Sequence, residues 1–429
     1  MLIYAVIGRP VFHSKSPQIF RSLFQKKKIN ANYLAFVVDS AEEAIKVGKK
    51  IGISGLNVTS PYKEDILRYV DEREDLVKKV GAANTILFSG DKTFAFNTDV
   101  DGVRAALAKN GVEIEGKKVA ILGAGGSAKA VAFFLSLYTS PYIFNRTEEK
   151  AKEIADLFRG RVLSLADKHK MRDMDVLIYC LPAGVAFEYE HFLKEGQVVL
   201  DANYVQTEKR RKKLEERGVK YIDGRDWLLF QAIYSIKHFL NVEISYKILE
   251  NAAFGPRKRK KTLCLVGFMG SGKTTIGRLL AQKLGVEFVD TDEVIQAQEG
   301  LSIDRIFKEK GESYFRLIEE RIVTQLINRK EGAVISLGGG SVLSKKVREF
   351  LKKKATTIWL WIDEKTVIDR TDGSGNRPLL SHWNIHKLIK ERTPFYAETA
   401  DILISTKDRT AHKISDMLKT EIEYGLNCD

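Results

Sequence analysis

Residues 267–274 read GFMGSGKT and follow the apolar run Leu263–Val266. This spacing is that of the phosphate-binding loop, in which backbone N–H groups and a lysine surround the phosphates of a nucleoside triphosphate. An apolar strand that leads into such a loop is typical of a parallel α/β nucleotide-binding domain. We therefore predict an ATP site with Mg²⁺ beside Thr274, formed by Gly270, Ser271, Gly272, Lys273, Thr274 and Thr275.

A second glycine-rich loop lies upstream, where residues 123–128 read GAGGSA between an apolar run and a predicted helix at 126–137. In a parallel nucleotide-binding sheet, such a loop holds the pyrophosphate of a dinucleotide. The next predicted strand ends before Arg146, a cation that suits the 2′-phosphate of NADP better than the 2′-hydroxyl of NAD. A solvated arginine at a helix start is the alternative. We predict NADP(H) contacts from Gly123, Ala124, Gly125, Gly126, Ser127, Asn145, Arg146 and Thr147.

The two loops divide a chain of 429 residues, a length that suits two or three domains. Apolar runs at 2–7, 33–38, 53–58 and 85–88 predict strands of a first α/β domain. Runs at 118–122, 141–144, 175–179 and 197–201 predict a Rossmann-like parallel sheet. We therefore predict an α/β substrate domain at 1–100 and 226–252, an NADP domain at 101–225, a linker at 253–261 and a P-loop domain at 262–429.

The composition is that of a globular protein with a basic surface. The net charge is +14 and the apolar fraction is 44%. Because the excess charge is diffuse, anionic small ligands are favoured over a nucleic-acid face. The basic run at 257–261 is interpreted as a solvated linker, with nucleic-acid binding as the alternative. Three widely spaced cysteines and the lack of an 18-residue apolar run favour the reducing cytoplasm and no membrane contact.

Polar motifs follow the predicted strands of the first domain. They read GRPVFHSKSP at 8–17, NVTSPYK at 57–63, GAANT at 81–85 and NTDVDG at 97–102. Together with the glycine-rich loop, they stand in the order found in shikimate dehydrogenase, and residues 3 to about 239 resemble that family. The resemblance implies an oxidoreductase that reduces the 3-carbonyl of 3-dehydroshikimate with NADPH.

By this resemblance, Lys63 and Asp99 are the catalytic pair, because a lysine beside a carboxylate can hydrogen-bond the carbonyl oxygen and relay a proton. A purely structural ion pair is the alternative. Lys150 is expected as a second basic residue for the 2′-phosphate. Residues 179–184 differ from the family's usual stretch beside the nicotinamide. The substrate is expected to contact Ser14, Ser16, Thr59, Asn84, Asp99, Tyr204 and Gln231.

The C-terminal part carries its own ordered motifs. They read DTD at 290–292, FRLIE at 315–319, GGG at 338–340 and RTPFY at 392–396. With the P-loop they resemble shikimate kinase from residue 261 to about 404. The resemblance implies MgATP-dependent phosphorylation of the 3-hydroxyl of shikimate.

The same resemblance assigns roles in the kinase site. Asp292 is the candidate base, and Asp290 joins Thr274 in the Mg²⁺ shell. Arg377 is the lid arginine that faces the transferred phosphoryl group, and Arg370 lies on the adenine side. For any single arginine, a solvated helix charge is the alternative. The shikimate side is expected to comprise Asp292, Arg316, Gly338, Gly339, Gly340 and Arg392.

Together the resemblances predict a bifunctional enzyme of the shikimate pathway, which supplies chorismate for aromatic amino acids. We expect NADP(H), ATP and Mg²⁺ as cofactors, small-molecule substrates as partners, and a monomer or homodimer. Two alternatives stay open. One is a quinate/shikimate dehydrogenase of broader cofactor use joined to the kinase; the other makes one half a non-catalytic binding or regulatory module.

Overall fold

The protein is an α/β structure built around two β-sheets. This computed structural model describes residues 1–182, 185, 189–205, 207–255, 260–371 and 382–427, with the backbone alone at 371, 382–384, 426 and 427. Central strands are buried along their whole length, as in parallel sheets covered on both faces. The strands of the described chain are β1 (Leu2–Gly8), β2 (Ala31–Val37), β3 (Ile53–Val58), β4 (Glu72–Arg73), β5 (Thr85–Ser89), β6 (Lys92–Phe96), β7 (Val119–Leu122), β8 (Tyr142–Phe144), β9 (Arg161–Leu163), β10 (Val176–Tyr179), β11 (Val198–Asp201), β12 (Lys220–Ile222), β13 (Thr262–Val266), β14 (Phe288–Asp290), β15 (Val334–Ser336), β16 (Ala355–Trp361) and β17 (Ile402–Ser405).

Helices connect most of the parallel strands. Local sequence fixes their ends; α2, for example, is capped by the Ser40 hydroxyl, which accepts from Glu43 N at 3.1 Å, and is followed by Gly52 at φ +74°. The helices of the described chain are α1 (Ser16–Lys26), α2 (Ala41–Ile51), α3 (Asp75–Val80), α4 (Asp99–Lys109), α5 (Gly126–Ser136), α6 (Glu148–Phe158), α7 (Glu208–Glu215), α8 (Arg225–Leu240), α9 (Tyr246–Phe254), α10 (Lys273–Leu284), α11 (Thr291–Glu299), α12 (Ile303–Arg329), α13 (Lys345–Lys354), α14 (Glu364–Thr371), α15 (His382–Thr399) and α16 (Ala411–Asn427).

The larger sheet runs across both halves of the chain. Its strand order is β14-β15-β13-β16-β17-β2-β1-β3-β5-β6-β4. The junction is a parallel pair, in which Ile402 of β17 lies opposite Ala35 of β2 and Ile404 lies opposite Val37. The N-terminal and C-terminal parts therefore share one hydrogen-bonded sheet.

Polar contacts accompany this junction. Asp401, just before β17, pairs with Arg21 and with Lys260, the latter at 3.4 Å. On the β2 side, the Asn32 amide donates to the carbonyl oxygens of Ala397 at 2.7 Å and Ala400 at 3.0 Å. Because buried polar groups cost free energy unless they are paired, these contacts favour one register of β17 against β2.

The smaller sheet is parallel throughout, in the order β12-β11-β10-β7-β8-β9. The glycine-rich loop follows β7, one of its two middle strands. In the larger sheet, β1, β3, β13, β14 and β15 all point the same way. The loops after these strands therefore lie together at the carboxyl ends of the strands, which is where open α/β sheets bind ligands.

The apolar runs predicted most central strands, and β3 has the expected limits. Strands β4, β6, β9, β12, β16 and β17 were not predicted. Residues 225–254 contain two helices, α8 and α9, which are separated after Asn241 at φ +52°. Of the predicted linker, residues 256–259 lie outside the described residues. Within the described chain, no helix combines the length and apolar character needed to cross a bilayer.

Two candidate active sites

Lys63 and Asp99 form the centre of the first site. Lys63 Nζ donates to Asp99 Oδ2 at 2.6 Å and to Ser127 Oγ at 2.9 Å. The two charged side chains are 11% and 2% exposed. A side chain on Gly126 would lie 2.7 Å from Lys63 Cβ, so this glycine allows the nucleotide loop to approach the lysine. The ammonium group is therefore fixed between an acid and the loop predicted to hold the cofactor.

A polar cavity of about 140 Å³ opens beside this pair. Asn84 organises one wall: its amide donates to Thr98 Oγ1 at 3.0 Å and to Gln231 Oε1 at 2.9 Å. Another wall holds the start of α1, with Ser14 and Ser16. The seven residues predicted to bind the first substrate all line the cavity: Ser14, Ser16, Thr59, Asn84, Asp99, Tyr204 and Gln231.

Further polar residues line the cavity that were not predicted as site residues. Asn57 donates to Ser235 Oγ at 3.0 Å and accepts from Tyr33 Oη at 2.6 Å. Asn57 is the first residue of the motif that ends in Lys63, and Ser235 lies one turn after Gln231 on α8. Both could therefore have been predicted as cavity residues from the sequence. His13 also faces the cavity; burial lowers its pKa to about 4, which leaves the imidazole neutral at pH 7.

The glycine-rich loop has the shape of a dinucleotide cradle. Gly123 has φ +112°, and a Cβ there would lie 2.7 Å from the Cys180 carbonyl oxygen, so only glycine fits. At Gly125 a Cβ would meet nothing within 4 Å, which leaves open space before α5. Backbone N–H groups at this helix start suit a pyrophosphate. The loop thus fits the pyrophosphate of the NADP(H) that the sequence predicted. Ser127, which was predicted to contact NADP(H), accepts a hydrogen bond from Lys63 and also lines the substrate cavity.

The predicted 2′-phosphate contacts lie at the end of β8. Arg146, Thr147 and Lys150 are exposed there. Asn145 shapes the turn by donating to the Thr147 carbonyl oxygen at 2.8 Å. Exposed cations next to the cradle suit a phosphate group. Of the stretch 179–184, residues 183 and 184 lie outside the described residues.

The second site is built on the P-loop between β13 and α10. Gly267, Gly270 and Gly272 have φ of +150°, +77° and +85°. A Cβ on Gly267 would lie 2.5 Å from the Leu360 carbonyl oxygen. Lys273 Nζ donates to the carbonyl oxygens of Gly267 at 3.0 Å and Phe268 at 3.1 Å. Its ammonium group therefore lies within the loop, where phosphates bind in this motif.

Oxygen atoms suited to Mg²⁺ meet beside the loop. Thr274 Oγ1 donates to Asp290 Oδ2 at 2.7 Å, and Asp290 Oδ1 accepts from Asp292 N at 3.0 Å. Magnesium prefers hard oxygen ligands, often one or two carboxylates together with substrate phosphates. The two predicted metal residues, Thr274 and Asp290, are therefore adjacent and of the right chemistry. The other ATP residues of this turn are Ser271, which is buried, and Thr275, which is exposed.

The acceptor side is arranged around the glycine turn at 338–340. A Cβ on Gly338 would lie 3.0 Å from Asp292 Oδ1, and one on Gly340 would lie 2.4 Å from an Arg316 nitrogen. Arg392, 9% exposed, donates to the Gly339 carbonyl oxygen at 3.5 Å. The structure thus brings Asp292, Arg316 and Arg392 together around a turn whose first and third glycines leave no room for a side chain.

Two residues that hold this arrangement were not predicted as site residues. Glu319, 2% exposed, pairs with Arg316 at 2.6 Å and accepts from Ser341 Oγ at 2.6 Å. Tyr396 donates to the Gly339 carbonyl oxygen at 2.5 Å, and burial raises the pKa of its hydroxyl. Both residues lie inside motifs that carry the resemblance to shikimate kinase. The i,i+3 spacing of Arg316 and Glu319 could have predicted their ion pair on one face of a helix.

Arg370 and Arg377 complete the predicted kinase site. Arg370 donates to the carbonyl oxygens of Gly270 and Thr406, both at 3.0 Å, and so connects the P-loop with the segment after β17. Arg377 lies outside the described residues, so its lid role stays a prediction.

Comparisons with known proteins agree with this geometry. Residues 6–86 match the family described as "Shikimate dehydrogenase substrate binding domain", and residues 106–190 match the family described as "Shikimate / quinate 5-dehydrogenase". Residues 269–423 match the family described as "Shikimate kinase". The shikimate dehydrogenase (NADP(+)) of Aquifex aeolicus is 34% identical over 259 residues, which cover 58% of this chain and 95% of that protein. The shikimate kinase of Persephonella marina is 44% identical over 156 residues, which cover 36% of this chain and 94% of that protein. A crystal structure of shikimate 5-dehydrogenase from Thermus thermophilus in complex with shikimate is 27% identical, with a TM-score of 0.55 over 59% of this chain and 98% of that one.

The fold and the two sites define a nicotinamide-dependent oxidoreductase joined to a P-loop kinase. The chain belongs to the shikimate dehydrogenase family in its N-terminal part and to the shikimate kinase family in its C-terminal part. It is a bifunctional enzyme of the shikimate pathway that uses NADP(H) at one site and ATP with Mg²⁺ at the other.

Proposed function

We propose that the chain reduces 3-dehydroshikimate to shikimate with NADPH and then phosphorylates the new 3-hydroxyl with MgATP. The observation that carries the proposal is the buried Lys63–Asp99 pair at 2.6 Å, which lies in the wall of a polar cavity beside the dinucleotide loop. The kinase assignment is supported by the P-loop and by the turn that gathers Asp292, Arg316 and Arg392. The product of the first site is the substrate of the second.

In the reduction, NADPH supplies the hydride when bound. Lys63 has three N–H donors. Two serve Asp99 and Ser127, which leaves one for the carbonyl oxygen of the substrate. As negative charge develops on that oxygen, the lysine delivers a proton from Nζ, and Asp99 keeps the ammonium in place. The serines at the start of α1 hold the substrate carboxylate, and the Asn84–Gln231 network orients its hydroxyls.

In the phosphorylation, Asp292, whose Oδ1 would lie 3.0 Å from a Cβ on Gly338, accepts the proton of the attacking hydroxyl. Arg316 and Arg392 hold the substrate carboxylate, which a planar guanidinium binds in a bidentate manner. Lys273 exchanges its carbonyl partners for phosphate oxygens and stabilises their charge during transfer. Mg²⁺, when bound beside Thr274 and Asp290, neutralises charge on the phosphates.

Two separate assays on the full chain test the proposal. NADPH oxidation should depend on 3-dehydroshikimate, and ADP formation should depend on shikimate, with shikimate 3-phosphate identified by mass. Quinate and NAD serve as competitors in the first assay. Comparable rates with NAD or quinate would favour the broader quinate/shikimate dehydrogenase, and the absence of either activity would make that half a non-catalytic module.

The remaining sequence predictions are kept as proposals. The domain limits are 1–100 with 226–252, 101–225 and 262–429; the smaller sheet, which contains only β7 to β12, supports the middle one, whereas strands of the other two domains share the larger sheet. Small-molecule substrates are proposed as partners, since the first site is a cavity of about 140 Å³; binding of nucleic acid or membrane is not expected. The cysteine usage supports a cytoplasmic location. Sedimentation at several protein concentrations would distinguish a monomer from a homodimer.

A further inference from the structure

The loop that leads to Ser14 is held by a residue from the other half of the chain. Glu421, on the last helix α16, accepts hydrogen bonds through one oxygen, Oε2, from Val11 N at 2.7 Å and from Phe12 N at 2.9 Å. Glu421 is 3% exposed and Val11 is fully buried. An oxygen that receives two buried backbone N–H groups is a strong anchor, because burying those N–H groups without a partner would cost free energy.

Neighbouring residues of α16 contact the same loop. A Cβ on Gly425 would lie 2.7 Å from Phe12 Cδ1, so the ring packs directly on the helix backbone. The Tyr424 and His13 rings meet at 4.9 Å in a T-shaped arrangement. Residues 421, 424 and 425 follow the i,i+3,i+4 spacing of one helix face. This face of α16 is therefore fitted to the loop at 11–13.

Neighbouring residues of α16 pack in the apolar core of its own half. Ile414, Leu418 and Ile422 are buried in the same apolar cluster as Leu280 of α10, the helix that begins at the P-loop lysine. The helix α16 thus packs against α10 within the kinase part.

The contacted loop carries the residues predicted to bind the substrate carboxylate. The turn is closed by Ser14 N, which donates to the Val11 carbonyl oxygen at 3.0 Å. Ser14 Oγ then accepts from Ser16 N at 3.2 Å, at the first residue of α1. Ser14, Ser16 and His13 all line the cavity. Fixing Val11 and Phe12 therefore fixes the place of both serine hydroxyls relative to Lys63.

We propose that Glu421, a residue of the kinase part, is a positioning residue for the dehydrogenase: it holds the loop that presents Ser14 and Ser16 to the carboxylate of 3-dehydroshikimate. The proposal rests on the proposed function of that cavity. It makes the dehydrogenase substrate site dependent on a helix that follows the P-loop domain in the sequence. Glu421 contributes to substrate binding without touching the substrate.

The test compares E421A, E421Q and E423A in the full chain. E421A removes the acceptor of two N–H groups and should raise the KM for 3-dehydroshikimate about tenfold or more, with kcat changed by less than about threefold. E421Q keeps an oxygen that can accept both bonds and should restore most of the KM. E423A alters an exposed residue of the same helix and should match the wild type. The kinase KM for shikimate and for ATP should stay unchanged in all three.

Three results would overturn the proposal: a wild-type KM in E421A, a kinase activity that falls in parallel with the reductase, or an E421Q as impaired as E421A. The kinase activity of each variant serves as the control for folding, because a general loss of stability would lower both activities. A wild-type chain that does not reduce 3-dehydroshikimate would refute the proposed function, and this inference with it. An active wild type with an unaffected E421A would refute only the role of Glu421.

Discussion

The two active sites hold their central lysines in different ways. Lys63 is paired with a buried carboxylate, Asp99, whereas Lys273 bonds two carbonyl oxygens of its own loop. The first pair can persist throughout the reaction, because one donor of Lys63 remains for the substrate. The second set of bonds has to be exchanged when phosphates enter. A lysine that donates a proton to the substrate is thus held by a permanent carboxylate partner. A lysine that stabilises the negative charge of phosphates needs only hydrogen-bond partners that the phosphates can replace.

The sites also differ in what supports them. The acceptor turn of the kinase is held by residues of its own part, Glu319 and Tyr396. The carboxylate loop of the dehydrogenase is held partly by Glu421, which lies beyond the P-loop domain's core strands. The continuous sheet makes this possible, since β17 next to β2 places α16 beside the loop after β1. The dependence between the halves should therefore run from kinase to dehydrogenase.

The largest expected effect comes from Lys63→Ala. Without its proton donor, the reductase kcat should fall by about 10²–10⁴-fold, the usual contribution of a catalytic acid. Kinase activity with added shikimate should stay near the wild-type value. Lys78→Ala, at an exposed lysine of α3, is the control. Retention of most reductase activity in Lys63→Ala would reduce the Lys63–Asp99 pair to a structural ion pair.

Lys273→Ala should affect the other reaction, and in a different kinetic pattern. We expect a loss of about 10²–10³-fold in kinase kcat/KM for ATP, because one stabiliser of the transferred charge is gone. Both KM and kcat should change, since Lys273 contacts bound phosphates and their transition state. Lys283→Ala, near the end of the same helix, is the control. A kinase that keeps its ATP kinetics would contradict the role given to the loop lysine.

Arg146→Asp should have a smaller, selective effect. A carboxylate repels the 2′-phosphate and can accept from a 2′-hydroxyl, so the NADP-to-NAD ratio of kcat/KM should fall about tenfold or more. Lys152→Asp makes the same charge change at an exposed site on α6 and controls for long-range electrostatics. An unchanged ratio would show that the 2′-phosphate lies elsewhere.

Much of this architecture follows from local sequence. The buried runs before the site loops predicted the parallel strands that precede them, because both faces of such strands exclude polar residues; β16 and β17 were not predicted. The glycine loops predicted their own geometry, since Gly123 and Gly267 occupy backbone conformations closed to other residues. The two-residue strand β4, which is exposed and charged, carries no apolar signal and was missed for that reason.

The remaining features depend on tertiary pairing. The bond between Lys63 and Ser127 joins the two sheets, and no spacing along the chain predicts which loops meet. The β17–β2 junction pairs strands whose apolar patterns would suit any parallel neighbour. Glu421 resembles other acidic residues on an amphipathic helix until the loop that it faces is known. Such contacts arise from the sheet order, which local patterns leave open.

The most direct test of the central claim is a coupled reaction. The full chain is incubated with 3-dehydroshikimate, NADPH and MgATP, while NADPH oxidation, ADP formation and product mass are followed together. The account predicts shikimate 3-phosphate as the final product, with one NADPH oxidised and one ADP formed per molecule. Shikimate that accumulates unphosphorylated, or ATP consumption without NADPH oxidation, would contradict the claim that one chain performs the two consecutive steps.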